Sequence, residues 1–102
     1  MPEALQVCPV EEAIKVIGGK WKLLVLRSLL LNGPQRYNEL LASVTSISPK
    51  ELTRNLRELT ESGLIHRAEN RNGPYELTKL GKGLMPAFKT LLTWGSKMLA
   101  SR

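Results

Sequence analysis

Ser48 to Leu64 reads SPKELTRNLRELTESGL, and the fold turns on what this stretch becomes. It carries helix signals at both ends. Ser48 can cap the N-terminus, Pro49 suits the first helical position, and Glu51 completes an S-x-x-E capping box. Gly63 follows the last periodic residue, where a left-handed C-cap would be needed. Between the caps, Leu52, Leu56 and Leu59 recur at i, i+4 and i+7, a stripe that must be buried against something. Lys50, Arg54 and Arg57 occupy the opposite side at the same spacing, with Thr53 and Thr60 at one border. A helix that buries leucines and points two arginines and a lysine outward suits the major groove of DNA. A solvated charged face is the competing reading, because Glu58 and Glu61 stand nearby. The flanking sequence has to decide between them.

Upstream, Gln35-Arg36-Tyr37 reads as a brief extended segment, and Asn38 as the N-cap of a short helix carrying Glu39, Leu40, Leu41 and Val44. Thr45-Ser46-Ile47 is the turn into Ser48. A short helix, a turn and a longer amphipathic helix form the helix-turn-helix order, in which the second helix enters the groove and the first braces it. Downstream of Gly63 the period changes to alternation. Leu64 to Glu69 suggests a strand, Tyr75-Glu76-Leu77 its partner, and Asn70-Arg71-Asn72-Gly73-Pro74 supplies the turn. A hairpin in this position is a wing, with Arg67 and Arg71 on or near a tip that reaches phosphates. Taken alone, the segment reads equally well as a generic turn.

Cys8-Pro9 opens a further helix, with Glu11 and Glu12 at the positive end of its dipole and Ala13, Val16 and Ile17 on its apolar side. Gly18-Gly19 breaks the chain. Lys20 to Asn32 is apolar around most of its circumference and is expected at the centre of the molecule, ended by Gly33-Pro34. Trp21 reads first as a core or interface residue and second as a surface on which a ligand could stack. Thr78 caps the last helix, where Leu80, Leu84, Phe88, Leu91, Leu92, Met98 and Leu99 keep helical spacing. Gly81 and Gly83 weaken its start, and Pro86 should kink or restart it. So much apolar surface is more than one small domain covers, which predicts packing against a second copy in a two-fold dimer.

The bulk properties narrow the function classes. With 102 residues the chain holds one modest core, and its 42% hydrophobic and 24% charged content is that of a globular domain. A net charge of +6 favours polyanionic partners. The single cysteine, Cys8, rules out an intramolecular disulfide. The single histidine, His66, leaves little for a metal site or a Ser-His-Asp arrangement and reads as structural or solvent-facing. No cofactor, metal or catalysis is therefore expected. No run approaches a membrane span, and the N-terminal MPEALQV lacks the features of a signal peptide, so a cytoplasmic protein without a membrane partner is expected.

These residues, taken together, resemble the HxlR-type transcriptional regulators, winged-helix proteins related to the MarR group. The likeness runs from Cys8 to about Gly95. It rests on CPVEEAIKVIGGKW (Cys8–Trp21), LLVLRSLLLNGPQRYNEL (Leu23–Leu40), ISPKELTRNLRELTESGLI (Ile47–Ile65) and YELTKLGKGLMP (Tyr75–Pro86), specific in combination and in this order. The resemblance implies a mainly α (α+β) winged helix-turn-helix DNA-binding domain spanning 1–102, with the helix-turn-helix at about 38–62 and the wing at about 64–77. It also implies a homodimer held by the N-terminal helix and a C-terminal dimerisation helix at about 78–100, bound to pseudo-palindromic operator DNA.

Carried over residue by residue, recognition contacts fall on Lys50, Thr53, Arg54 and Arg57, and a phosphate contact on Arg36. Cys8 matches a position where several family members sense oxidants or electrophiles; packing at the dimer seam is the alternative. Two departures stand out. The wing ENRNGPYELT is shorter than the family's usual one, leaving Arg71 as the tip's main candidate, and Arg54-Asn55 replaces a common Gln-Arg pair. The expected function is sequence-specific transcriptional regulation on double-stranded DNA, with a small-molecule effector unidentified. The alternatives are a winged-helix protein-interaction module and a non-specific DNA-binding module.

Overall fold

The Leu52, Leu56 and Leu59 stripe finds its burial where the sequence requires it, in a core drawn from every central element. The computed structural model describes residues 7–68 and 72–102. Its elements are α1 (Pro9–Ile17), α2 (Lys22–Asn32), α3 (Tyr37–Ser43), α4 (Pro49–Glu61), β1 (Ile65–Arg67), β2 (Tyr75–Leu77), α5 (Lys79–Lys82) and α6 (Met85–Ala100). Val25, Leu26 and Leu29 of α2, Leu40 of α3, Val44 and Ile47 of the turn, the three α4 leucines, and Leu64, Ile65 and Leu77 around the wing form one buried cluster. Each such side chain contributes about 1.5–3 kcal/mol by leaving water.

The α3–α4 pair is the helix-turn-helix. Ser48 accepts the Glu51 backbone N–H at 3.1 Å and Glu51 Oε1 accepts the Ser48 N–H at 3.2 Å, so the capping box closes in both directions. At the other end Gly63 has φ of 78°, in the left-handed region where glycine carries no Cβ penalty. The bracing helix begins earlier than expected. Its N-cap is Arg36, not Asn38, because the preceding Gln35 is drawn into the sheet and Glu39 Oε1 accepts the Arg36 N–H at 2.8 Å. The chain passes from extended to helical within one residue.

The wing is an antiparallel hairpin with Ile65 opposite Leu77, His66 opposite Glu76, and Arg67 opposite Tyr75. The Ala68 N–H adds a bond to the Pro74 carbonyl at 2.8 Å. Gln35 supplies a third, one-residue rung by exchanging backbone hydrogen bonds with Tyr75 at 3.0 and 2.7 Å. The extended segment expected before the bracing helix therefore belongs to the wing sheet.

The C-terminal region divides into two helices instead of running as one. Pro86 has no N–H to donate backwards, so the chain turns at Gly83-Leu84 and restarts as α6. Thr78 fastens α5 to the end of the helix-turn-helix: its hydroxyl donates to the Gly63 carbonyl at 2.6 Å and accepts the Gly81 N–H at 3.1 Å. A Cβ built on Gly81 would lie 2.2 Å from the Leu64 carbonyl oxygen, so this approach needs glycine. α6 packs Phe88 against the core, yet none of its residues is fully buried. Among the described residues no helix is long and apolar enough to cross a membrane.

Candidate nucleic-acid interface

With 3.6 residues per turn, α4 presents four sides, and the fold uses each differently. Leu52, Asn55, Leu56 and Leu59 face the core. Asn55, buried among leucines, satisfies its amide by donating to the Glu51 carbonyl at 2.7 Å. On the opposite side Lys50, Thr53, Arg54 and Arg57 are all exposed. With Pro49, those four line one open depression of about 440 Å³. The sequence-derived set is therefore brought together on one surface.

The two remaining flanks hold the helix in place. Tyr37, at the start of α3, donates its hydroxyl to the Pro49 carbonyl at 3.0 Å and sits 3.1 Å from the Thr53 hydroxyl. On the other flank, Trp21 Nε1–H donates to Glu51 Oε2 at 2.7 Å, and Lys22 Nζ lies 3.2 Å from Glu58 Oε1. Glu51 and Glu58 are thus turned toward the start of α2, away from the basic surface. Glu61, exposed at the C-terminal end of α4, is the acidic group that remains on the basic side, one turn beyond Arg57. The N-terminal turns of the helix, which reach base edges in this motif, are basic.

Glu51 has an ordinary value of 4.5 and is held below it. The Ser48 backbone N–H is the largest cause, followed by the Ser48 hydroxyl, the Trp21 indole and the charge of Lys20. Each favours the carboxylate by hydrogen bonding or attraction. The group stays ionised at neutral pH while serving two elements at once.

Arg36 is exposed and its Nη1 donates to the Asn72 carbonyl, linking the bracing helix to the wing loop. Arg71 lies outside the described residues. Arg67 stacks its guanidinium over the Tyr75 ring at 4.6 Å, and His66 Nε2 lies 3.1 Å from Glu76 Oε1 across the hairpin. Cys8 is exposed and sits as the N-cap of α1. It is far in sequence from the basic surface, and no contact joins it to that surface among the described residues. Sequence reasoning had not found Tyr37, Gln35, or the Trp21 and Lys22 partnership with Glu51 and Glu58. Their contacts with Pro49, Thr53, Glu51, Glu58 and Tyr75 span 12 to 40 residues of sequence, which local periodicity does not carry; the one visible hint was the tryptophan at the helix start.

A helix-turn-helix followed by a hairpin defines the winged-helix class of DNA-binding folds, and the relatives bear this out. Residues 16–102 match the HxlR-like helix-turn-helix family, and the chain belongs to it. The HTH-type transcriptional regulator YdeP of Bacillus subtilis is 39% identical over 94 residues, covering 88% of this chain and 73% of that protein. Among solved structures, quinone-bound YodB from B. subtilis superposes with a TM-score of 0.78 at 30% identity, covering 88% of this chain and 99% of the other. The redox regulator HypR in its oxidised form gives 0.76 at 36% identity, covering 88% and 96%. The chain is a helix-turn-helix transcriptional regulator; its family and fold are those of regulators, not enzymes.

Proposed function

We propose that this regulator acts as a homodimer that reads pseudo-palindromic operator DNA, each α4 entering a major groove, with the two sites roughly 34 Å apart. The observation that carries this reading is the segregation of charge on α4. Lys50, Arg54 and Arg57 share the exposed side, while Glu51 and Glu58 are bound by α2. Arg54 is the candidate for a bidentate guanine contact, worth about 1–3 kcal/mol of base discrimination. Lys50 and Arg57 position the helix on phosphate, Thr53 adds a hydroxyl, and Arg36 and Arg71 meet flanking phosphates.

The dimer reading rests on the outer helices. Leu92, Trp94 and Leu99 of α6 are 71%, 61% and 62% exposed, and Val10 and Ile14 of α1 are 65% and 59% exposed. A radius of gyration of 15.0 Å exceeds the about 13 Å expected of a compact chain this long, as helices projecting from the core would produce. A second copy covers that surface. Such a protein works in the cytoplasm, where DNA is.

The test is selection of duplexes from a random pool, followed by binding of wild type and Arg54→Ala to the selected and a scrambled duplex. Arg54→Ala should lose affinity chiefly on the selected duplex. Equal losses on both would assign Arg54 to the backbone, and a wild type that selects nothing would favour the non-specific module. A loss of affinity that steepens with the number of phosphates neutralised is expected in a salt titration; salt-independent binding would sink the DNA reading. Exposed Cys8 supports a further element, control by thiol oxidation or by electrophiles. Operator binding by wild type and Cys8→Ser, before and after diamide or quinone, decides it; identical responses remove it.

A further inference from the structure

The leucine stripe that buries α4 is a poor ruler. Apolar contact is non-directional, so it holds a helix against a core while tolerating small rotations and axial shifts. Bidentate recognition of a base does not tolerate them, because hydrogen bonds weaken steeply away from 2.7–3.2 Å. Something directional has to set the helix.

We propose that the consecutive residues Trp21 and Lys22 clamp α4 through Glu51 and Glu58 and so set the rotation and axial position from which Arg54 and Lys50 address the bases. This rests on the DNA-reading function proposed above. Glu51 and Glu58 are seven residues apart, two turns along one flank and about 10.5 Å in axial distance. A directional hydrogen bond at Glu51 and an ion pair two turns away at Glu58 together oppose both sliding and rotation, which neither does alone. Both partners sit on a stiff support. The Trp21 ring is buried, its carbonyl accepts the Val25 N–H at 2.9 Å as α2 begins, and Lys20 Nζ lies 4.6 Å from the ring centroid. The Lys22 side chain is only 15% exposed, so its pair with Glu58 is shielded from solvent more than a surface bridge is.

Glu51 is the joint of the device. Its Oε1 receives the Ser48 N–H, closing the helix cap, while Oε2 receives the Trp21 indole N–H. One carboxylate thus ties the first turn of α4 to the residue that caps α2. On the far flank Tyr37 holds Pro49 and Thr53, so the N-terminal half of α4 is gripped from both sides. Trp21 and Lys22 touch no surface that meets DNA in this reading; they are positioning residues.

The experiment compares full-length wild type, Trp21→Phe, Lys22→Glu and the charge-swapped Lys22→Glu/Glu58→Lys protein on the selected and scrambled duplexes. Trp21→Phe keeps the ring face and removes the donor. It and Lys22→Glu should each lower the selected-to-scrambled preference by about tenfold, the scale of one lost bidentate contact, while affinity for the scrambled duplex is retained. The charge swap should restore the preference. A purely structural role predicts equal loss on both duplexes, through a smaller folded fraction, and that result would overturn the proposal. So would an unchanged preference. A second measurement does not involve DNA: the Trp21 indole ¹H–¹⁵N resonance should shift in Glu51→Gln, which retains the cap, and an unmoved resonance refutes the contact itself. If wild type selects no sequence while that resonance shifts, the DNA-reading function fails first and takes the positional role with it, the contact remaining.

Discussion

Replacing Gln35 by methionine tests whether the wing and the helix-turn-helix are joined by a specific polar knot. Gln35 is 5% exposed, and its side chain lies among three elements. Nε2 donates to the Ser28 carbonyl at 3.1 Å and to Ser28 Oγ at 2.9 Å, while Oε1 accepts from Ser43 Oγ at 3.0 Å. Methionine has a similar length and no polar atoms, and it leaves the backbone rung to Tyr75 intact. The two serines keep their mutual bond at 2.6 Å, and Ser43 retains the Leu40 carbonyl at 3.4 Å, so no hydroxyl is stranded. The loss is then three hydrogen bonds at about 1 kcal/mol each. An offset of about 1 kcal/mol comes from the more apolar replacement. The net destabilisation is about 2 kcal/mol, a drop in Tm of roughly 8–16 °C for a domain of this size. Thermal unfolding followed by circular dichroism, at matched protein concentration so that any self-association is equal in both samples, reads this directly. A shift below about 2 °C would show that the side-chain knot contributes no net stability and that packing and the Gln35–Tyr75 backbone rung join the wing to the helices.

Other perturbations address the cap, the α5 approach and the outer helices. Glu51 has a folded-state pKa below its ordinary value of 4.5, so it stabilises the fold above that value and the contribution fades as pH falls through the lowered one. Wild type should therefore be more stable than Glu51→Gln at neutral pH, with the difference shrinking as the pH falls below 4.5; a constant difference would contradict the assignment. Gly81→Ala places a methyl 2.2 Å from the Leu64 carbonyl oxygen and should cost about 2 kcal/mol or more in chemical denaturation. A neutral result would mean that α5 can move off the wing freely. Leu92→Glu puts a charge on the exposed face of α6 and should yield monomers in sedimentation at micromolar concentration with helical content retained. A persisting dimer would place the interface elsewhere.

The parts of this protein legible in its sequence are those governed by contacts within four residues along the chain. The α4 caps, its leucine stripe and the residues that stand outward follow from helical spacing and the chemistry of Ser48, Glu51 and Gly63. The hairpin follows from the change of period after Gly63 and from the turn residues before Tyr75. Even the restart of the last helix at Pro86 is local, since it needs only a missing N–H. Local signals failed at Arg36, where pairing between Gln35 and Tyr75 overrode the better capping chemistry of Asn38.

What only the tertiary structure decided is the meaning of the acidic residues on α4. In sequence, Glu51 is half of a cap and Glu58 a charge that weakens the case for a basic face. Packed, both point at the start of α2, where an indole N–H and an ammonium group receive them and leave the opposite side to Lys50, Thr53, Arg54 and Arg57, with Glu61 at its C-terminal end. Helical periodicity ranks residues by angle around one axis but is silent on which neighbour occupies each angle. That depends on how α2, α3 and α4 cross, which is set by the volumes of the core side chains between them.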